Sequence, residues 1–103
     1  MAHAKKDGSE WSGQVAFVTG GVTGIGLGVA QALSDAGLRL ALSYRNEAHR
    51  ELTARWFADK GREPPLFVPL DVTDRAGFAE AAEAVEKHFG AVHVLVNNAG
   101  VSV

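Results

Sequence analysis

Four short apolar runs, each stopped by a glycine or a polar residue, alternate along this chain with three stretches whose apolar side chains recur every third or fourth position. That alternation constrains the fold more than any other feature. Strands separated by helices of this length close into a parallel sheet, with right-handed crossovers covering both faces. Residues 14–19 (Gln-Val-Ala-Phe-Val-Thr) are short and β-branched, as a strand buried on both faces requires. Residues 24–36 space Ile25, Val29 and Leu33 one turn apart, with Gln31 and Asp35 on other faces, which predicts an amphipathic helix ended by Gly37.

Residues 38–44 predict a second strand, and 46–60 a second helix with Ala48, Leu52 and Trp56 on its inner stripe. Pro64 and Pro65 prevent that helix from continuing into the third strand at 66–70. A third helix over 74–89 turns Phe78, Ala82, Val85 and Phe89 inward and stops at Gly90, and 92–96 form a fourth strand broken by Asn97 and Asn98. The order β-α-β-α-β-α-β predicts an α/β, doubly wound parallel sheet of strand order 3-2-1-4, Rossmann-like in plan. Ligands of such sheets bind beyond the carboxyl ends of the strands, at the switch point between strands 1 and 4.

Composition narrows the function classes. With 103 residues there is room for one domain, here 13–103, preceded by a polar, flexible lead-in over 1–12 that has no signal-peptide character. No cysteine is present, which excludes a disulfide scaffold, a thiolate metal site and a cysteine nucleophile, and fits a reducing compartment; the cytoplasm is the expected location. A net charge of -2 provides no positive field for nucleic acid or an anionic membrane, and no apolar run approaches the roughly 18 residues of a membrane span. The four histidines (His3, His49, His88, His93) lack metal-ligand spacing; His49 and His88 fall on solvent-facing helix faces, and His93 is read as a packing variant in strand 4. Charges of both signs interleave over 45–63, as on an exposed helix face.

The first strand passes into the first helix through Thr19-Gly20-Gly21-Val22-Thr23-Gly24-Ile25-Gly26. Glycines at such a junction permit a tight turn, let the backbone approach a pyrophosphate and let helix and strand pack closely. The N–H groups and the dipole of the helix then favour phosphate. No lysine follows Gly26, so this is not the phosphate loop of nucleoside triphosphatases, and strict G-x-G-x-x-G fails at Val29.

The spacing T-G-x-x-x-G-x-G resembles that of the short-chain dehydrogenase/reductase family. Asp71-Val72 at the end of strand 3, Asn97-Asn98-Ala99-Gly100 at the end of strand 4 and Trp11-Ser12-Gly13-Gln14-Val15-Ala16 before strand 1 extend the resemblance over the chain from Trp11 onward. It implies that Gly20 to Gly26 receive the diphosphate of a nicotinamide dinucleotide. Asp71 and Val72 would hold the adenine, and Asn98, with Ala99 and Gly100, would reach the adenosine ribose. Read from the residues alone, Asp71 could instead open the next helix and the asparagines could form an ordinary turn.

At the end of strand 2, where an acid would select NAD, stand Tyr44, Arg45 and Asn46. Arg45 can pair with a 2′-phosphate, so NADP is expected over NAD, although Thr23 stands where many NADP-preferring relatives carry a second basic residue. The resemblance further implies hydride exchange with a small-molecule carbonyl or alcohol, and a homodimer or homotetramer. The family's tyrosine, lysine and serine are not in these residues: the one tyrosine, Tyr44, has Ala48 four positions on, and Ser102 follows N-N-A-G too closely. The expectation is therefore a cofactor-binding portion, truncated after strand 4 and inactive alone, with no catalytic residue and no metal ligand of its own. A non-catalytic nucleotide-sensing or interaction module on the same half-fold is the alternative, and a flavodoxin-like phosphate binder a third.

Overall fold

In a computed structural model of the chain, residues 11–71 and 73–98 are described. They form β1 (Val15–Val18), α1 (Gly24–Asp35), β2 (Arg39–Tyr44), α2 (Glu47–Asp59), β3 (Leu66–Pro69), α3 (Arg75–Phe89) and β4 (Val94–Val96). Each element falls where the hydrophobic pattern puts it, with ends displaced by two residues at most. The expected positions Val72, Ala99 and Gly100, the stretch 1–10 and Ser102 lie outside the described residues.

The sheet is parallel throughout, in the order β3-β2-β1-β4. Alternation along the strands divides the core between its two faces. On one, Ala16, Val18, Leu40 and Leu42 pack with Ala30 of α1 and Phe57 of α2. On the other, Val15, Phe17, Ala41 and Val68 pack with Ala81 and Val85 of α3, and the ring of Phe78 stacks 6.2 Å from that of Phe17. β1 is buried along its whole length, which explains its unbroken apolar sequence.

In two helices the face on the sheet only partly matches the one hydropathy predicts: Leu33 of α1 and Trp56 of α2 pack against the core as expected, but the fully buried positions are others. In α1 the buried positions are Gly26 and Ala30, while Ile25 is 71% exposed. In α2 they are Thr53 and Phe57, with Trp56 half-buried, Ala48 exposed and Leu52 62% exposed. The cause in α1 is close approach: a Cβ on Gly26 would lie 2.1 Å from the Gly20 carbonyl oxygen, so the contact face must be small rather than greasy. α3 follows the expected stripe, with Val85 buried and Phe78, Ala82 and Phe89 packed around it.

His93 is more than a packing variant. Its Nδ1 accepts the Val15 N–H at 2.9 Å, and its own N–H donates to the Val15 carbonyl at the same distance. The imidazole thereby pairs the first amide of β1, where the sheet would otherwise leave a donor open.

Candidate functional site

The carboxyl ends of the strands converge on the β1–α1 turn, and the turn is held from three sides. From β2, Ser43 Oγ accepts the Gly20 N–H at 2.8 Å and the Ser43 carbonyl accepts the Gly21 N–H at 3.2 Å. From the end of β4, Asn98 Nδ2 donates to the Gly20 carbonyl at 3.3 Å, and Asn97 Oδ1 accepts the Thr19 hydroxyl at 3.1 Å. From α2, the buried Thr53 hydroxyl donates to the Val22 carbonyl at 2.9 Å.

Two of the glycines do distinct work. Gly20 adopts φ +65°, a left-handed conformation that turns the chain out of the strand. Gly26 lets α1 sit against that turn, with Asn98 Nδ2 only 2.7 Å from where its Cβ would be.

α1 starts without a side-chain cap: Thr23 stands at its N-cap in extended conformation and makes no capping bond. The other two helices are capped, α2 by Asn46 accepting from His49 N–H and α3 by Asp74 accepting from Gly77 N–H. The first backbone bond into α1 is made by Leu27 N–H to the Thr23 carbonyl, so the amides of Gly24, Ile25 and Gly26 precede the helical ladder. They carry the positive end of the helix dipole, and no acidic residue lies in that first turn.

Beside this helix end lies a cleft of about 430 Å³, bounded by Gly20, Val22 and Thr23 of the turn, Ser43 to Asn46 of β2 and its exit, His49 and Leu70. A smaller, shallower recess of about 220 Å³ continues past Tyr44, Arg45 and Leu70 to Pro69 and Asp71. Arg45 thus borders both. Asp71 Oδ1 accepts the Thr73 N–H at 3.0 Å and the Thr73 hydroxyl at 2.7 Å. Those two bonds, with a smaller pull from Arg45, hold its carboxyl below the usual carboxylate range. Asp74, not Asp71, caps α3.

The turn Gly20–Gly26, the strand-2 exit at Tyr44, Arg45 and Asn46, Asp71 and Asn98 therefore all stand at one end of the sheet. A sequence model described as short chain dehydrogenase matches residues 14–103. The chain belongs to the short-chain dehydrogenase family. Curated relatives include the 3-beta-hydroxysteroid dehydrogenase of Comamonas testosteroni, 42% identical over 89 residues, covering 86% of this chain and 34% of that protein. The NADP-dependent (R)-specific alcohol dehydrogenase of Lentilactobacillus kefiri is 36% identical over 91 residues, covering 88% and 35%. Among solved structures, L-sorbose reductase from Gluconobacter frateurii, complexed with NADPH and L-sorbose, superposes with a TM-score of 0.79 at 35% identity over 89% of this chain and 35% of that one. The chain spans 20–36% of the length of the curated relatives compared with it.

Ser43, Thr53 and His49 belong to the candidate site yet stand outside the family motifs read in the sequence. Ser43 and Thr53 are 2% exposed, and a buried hydroxyl must find a partner; one polar residue in the run Leu-Ala-Leu-Ser is the available signal. His49 gives none, because its place beside the cleft follows from how α2 leaves β2. Among the described residues no three His, Asp or Glu side chains form a group able to hold a metal ion, and no helix is long and apolar enough to cross a membrane.

Proposed function

We propose that the cleft receives a nicotinamide dinucleotide, NADP in preference to NAD, and that the protein carrying this chain exchanges hydride between that cofactor and a small carbonyl or alcohol compound. The observation that carries the reading is the uncapped start of α1 beside a cleft, next to two helices whose starts are capped by their own side chains. Amides and a dipole left open in this way suit a diphosphate.

In this reading the turn from Gly20 through Gly21, Val22, Thr23, Gly24 and Ile25 to Gly26 borders the diphosphate. Because Gly20 and Gly21 spend their amides on Ser43, the amides of the α1 first turn do the binding. Arg45, with Tyr44 and Asn46 beside it, faces the adenosine 2′-phosphate; Asp71 and Val72 border the adenine. Asn98, with Ala99 and Gly100, borders the ribose and holds the turn in place through its bond to Gly20. The cofactor, when bound, supplies a carbon that gives or takes hydride. This chain's residues bind and orient it, and no tyrosine–lysine pair among them can move a proton at the reacting oxygen, so the 103 residues bind without turning over.

Titration of the chain with NADPH and with NADH, followed by nucleotide fluorescence, tests this directly. NADPH binds more tightly than NADH, and Arg45→Asp lowers that preference about ten- to hundredfold, the span of a charge-assisted contact. Absence of binding by either nucleotide refutes the site; an unchanged preference removes Arg45 from it.

A further inference from the structure

Arg50 stands among the interleaved charges of 45–63, yet its side chain is only 28% exposed, against 59% for Glu47 and 63% for Glu51. It folds back from α2 over the sheet. The centre of its guanidinium lies 5.8 Å from the ring of Tyr44, at the end of β2, and 5.8 Å from the ring of Phe67 in β3. Those two rings meet edge to face at 6.5 Å. Glu47, one turn earlier on α2, accepts from the same guanidinium, and Glu51 lies 4.0 Å away. A planar cation held by a carboxylate and by two aromatic rings ties the start of α2 to β2 and β3 at one point. Tyr44 in turn borders both the cleft beside the start of α1 and the recess that runs on to Asp71, whereas Arg50 borders neither. A ligand that fills both must pass the tyrosine ring.

We propose that Arg50 is a positioning residue for the adenosine end of the nucleotide and acts through Tyr44, whose ring it fixes as the common wall of cleft and recess. This rests on the cofactor reading above, which lays the nucleotide from the start of α1 across Tyr44 to Asp71. A ring without its brace turns about its side-chain bonds, and ordering it on binding costs affinity. A ring fixed at folding spares the ligand that cost.

The test is the affinity for NADH, read by nucleotide fluorescence, of the wild type, Arg50→Met, Tyr44→Leu, the double variant and Arg50→Lys. NADH has no 2′-phosphate on which the lost charge could act. Arg50→Met raises the dissociation constant about two- to fivefold, the span of a cation–π contact, and has no further effect once Tyr44 is leucine. A purely structural or electrostatic role would give the same factor with and without the ring. Arg50→Lys, whose single ammonium cannot span Glu47 and both rings, falls between Arg50→Met and wild type. Tyr44 is the one tyrosine of the chain, so its ring protons report the brace by NMR and shift in Arg50→Met without ligand. Should Arg50→Met fail to fold, Arg50→Lys decides on the same affinity and ring signals. Equal factors in the two backgrounds, or affinity and ring signals that the Arg50 variants leave unchanged, overturn the role of Arg50 while the cofactor reading stands. If the wild type binds neither NADH nor NADPH, both fall together.

Discussion

Two glycines of α1, two residues apart, have opposite predicted responses to the same methyl group. A Cβ on Gly26 would sit 2.1 Å from the Gly20 carbonyl oxygen and 2.9 Å from its carbon, well inside the 3.0 Å that side-chain carbons observe. The obstacle is backbone, and that backbone is pinned by Ser43 Oγ on its N–H at 2.8 Å and by Asn98 on its carbonyl at 3.3 Å. Relief means moving α1 off the sheet or pulling the turn from its partners. Overpacking of this sort costs about 1–3 kcal/mol and loss of the Asn98 bond about 0.5–1.5, so Gly26→Ala should destabilise by about 2–4 kcal/mol. For a domain of this size that lowers the melting temperature by about 10–25 °C. Gly28, by contrast, is exposed with nothing within 4 Å of its Cβ position, so Gly28→Ala gains helix propensity of about 0.5–1 kcal/mol and melts a few degrees higher. Thermal and urea denaturation followed by circular dichroism measures both. A Gly26→Ala protein melting within about 2 °C of wild type would refute the idea that helix–turn contact dictates this residue. So would a Gly28→Ala protein that loses as much as Gly26→Ala.

Ser43→Ala leaves the Gly20 N–H without its acceptor beneath the turn and should cost about 1–3 kcal/mol; a urea midpoint equal to that of wild type would mean that water replaces the hydroxyl at no cost. Asp71 gives a signed pH prediction. Its folded carboxyl titrates below the ordinary 3.8, so the ionised form stabilises the fold above about pH 4, and that contribution fades as pH drops through the folded value. Asp71→Asn should accordingly trail wild type in urea at pH 7, and the gap should narrow as pH is lowered below 3.8, whereas a gap independent of pH would show that the charge of Asp71 is irrelevant.

How much of this was legible in the sequence divides along a physical line. The order of elements and the strand order follow from short-range pattern: β1 is apolar throughout because both its faces are covered, and Gly37 and Gly90 stop their helices at left-handed positions of φ +90° and +88°. The inner faces of α1 and α2 followed only in part, with Leu33 and Trp56 packed on the core as expected, because hydropathy ranks residues by transfer from water and takes no account of how near a helix can come. Where α1 lies on the Gly20 carbonyl, distance decides, and Gly26 and Ala30 displace Ile25 from the interface. In α2 a threonine takes the inner place because the Val22 carbonyl needs a donor, while Leu52 turns outward. His93 is the same kind of case, a polar residue whose partner, Val15, is 78 positions away.

Apart from His93, which pairs the start of β1, these exceptions gather at the β1–α1 turn, and together they account for its polarity. Three side chains and one main-chain carbonyl from β2, α2 and the end of β4 satisfy Gly20, Gly21 and Val22, so the turn is held by the sheet rather than by anything in the cleft. Thr23, the residue next in line, makes no capping bond. An ordinary serine or aspartate cap in its place would contribute about 1 kcal/mol to the helix and would occupy the amides that an anion needs. A turn fixed from behind and left uncapped in front is preorganised: the ordering entropy of the loop is met on folding, so the diphosphate proposed to bind there would have only to displace water. On this argument the supporting residues matter to affinity as much as the glycines do. Ser43→Ala and Thr53→Val should therefore weaken NADPH and NADH by the same factor, leaving the proposed preference between them to Arg45 at the exit of β2.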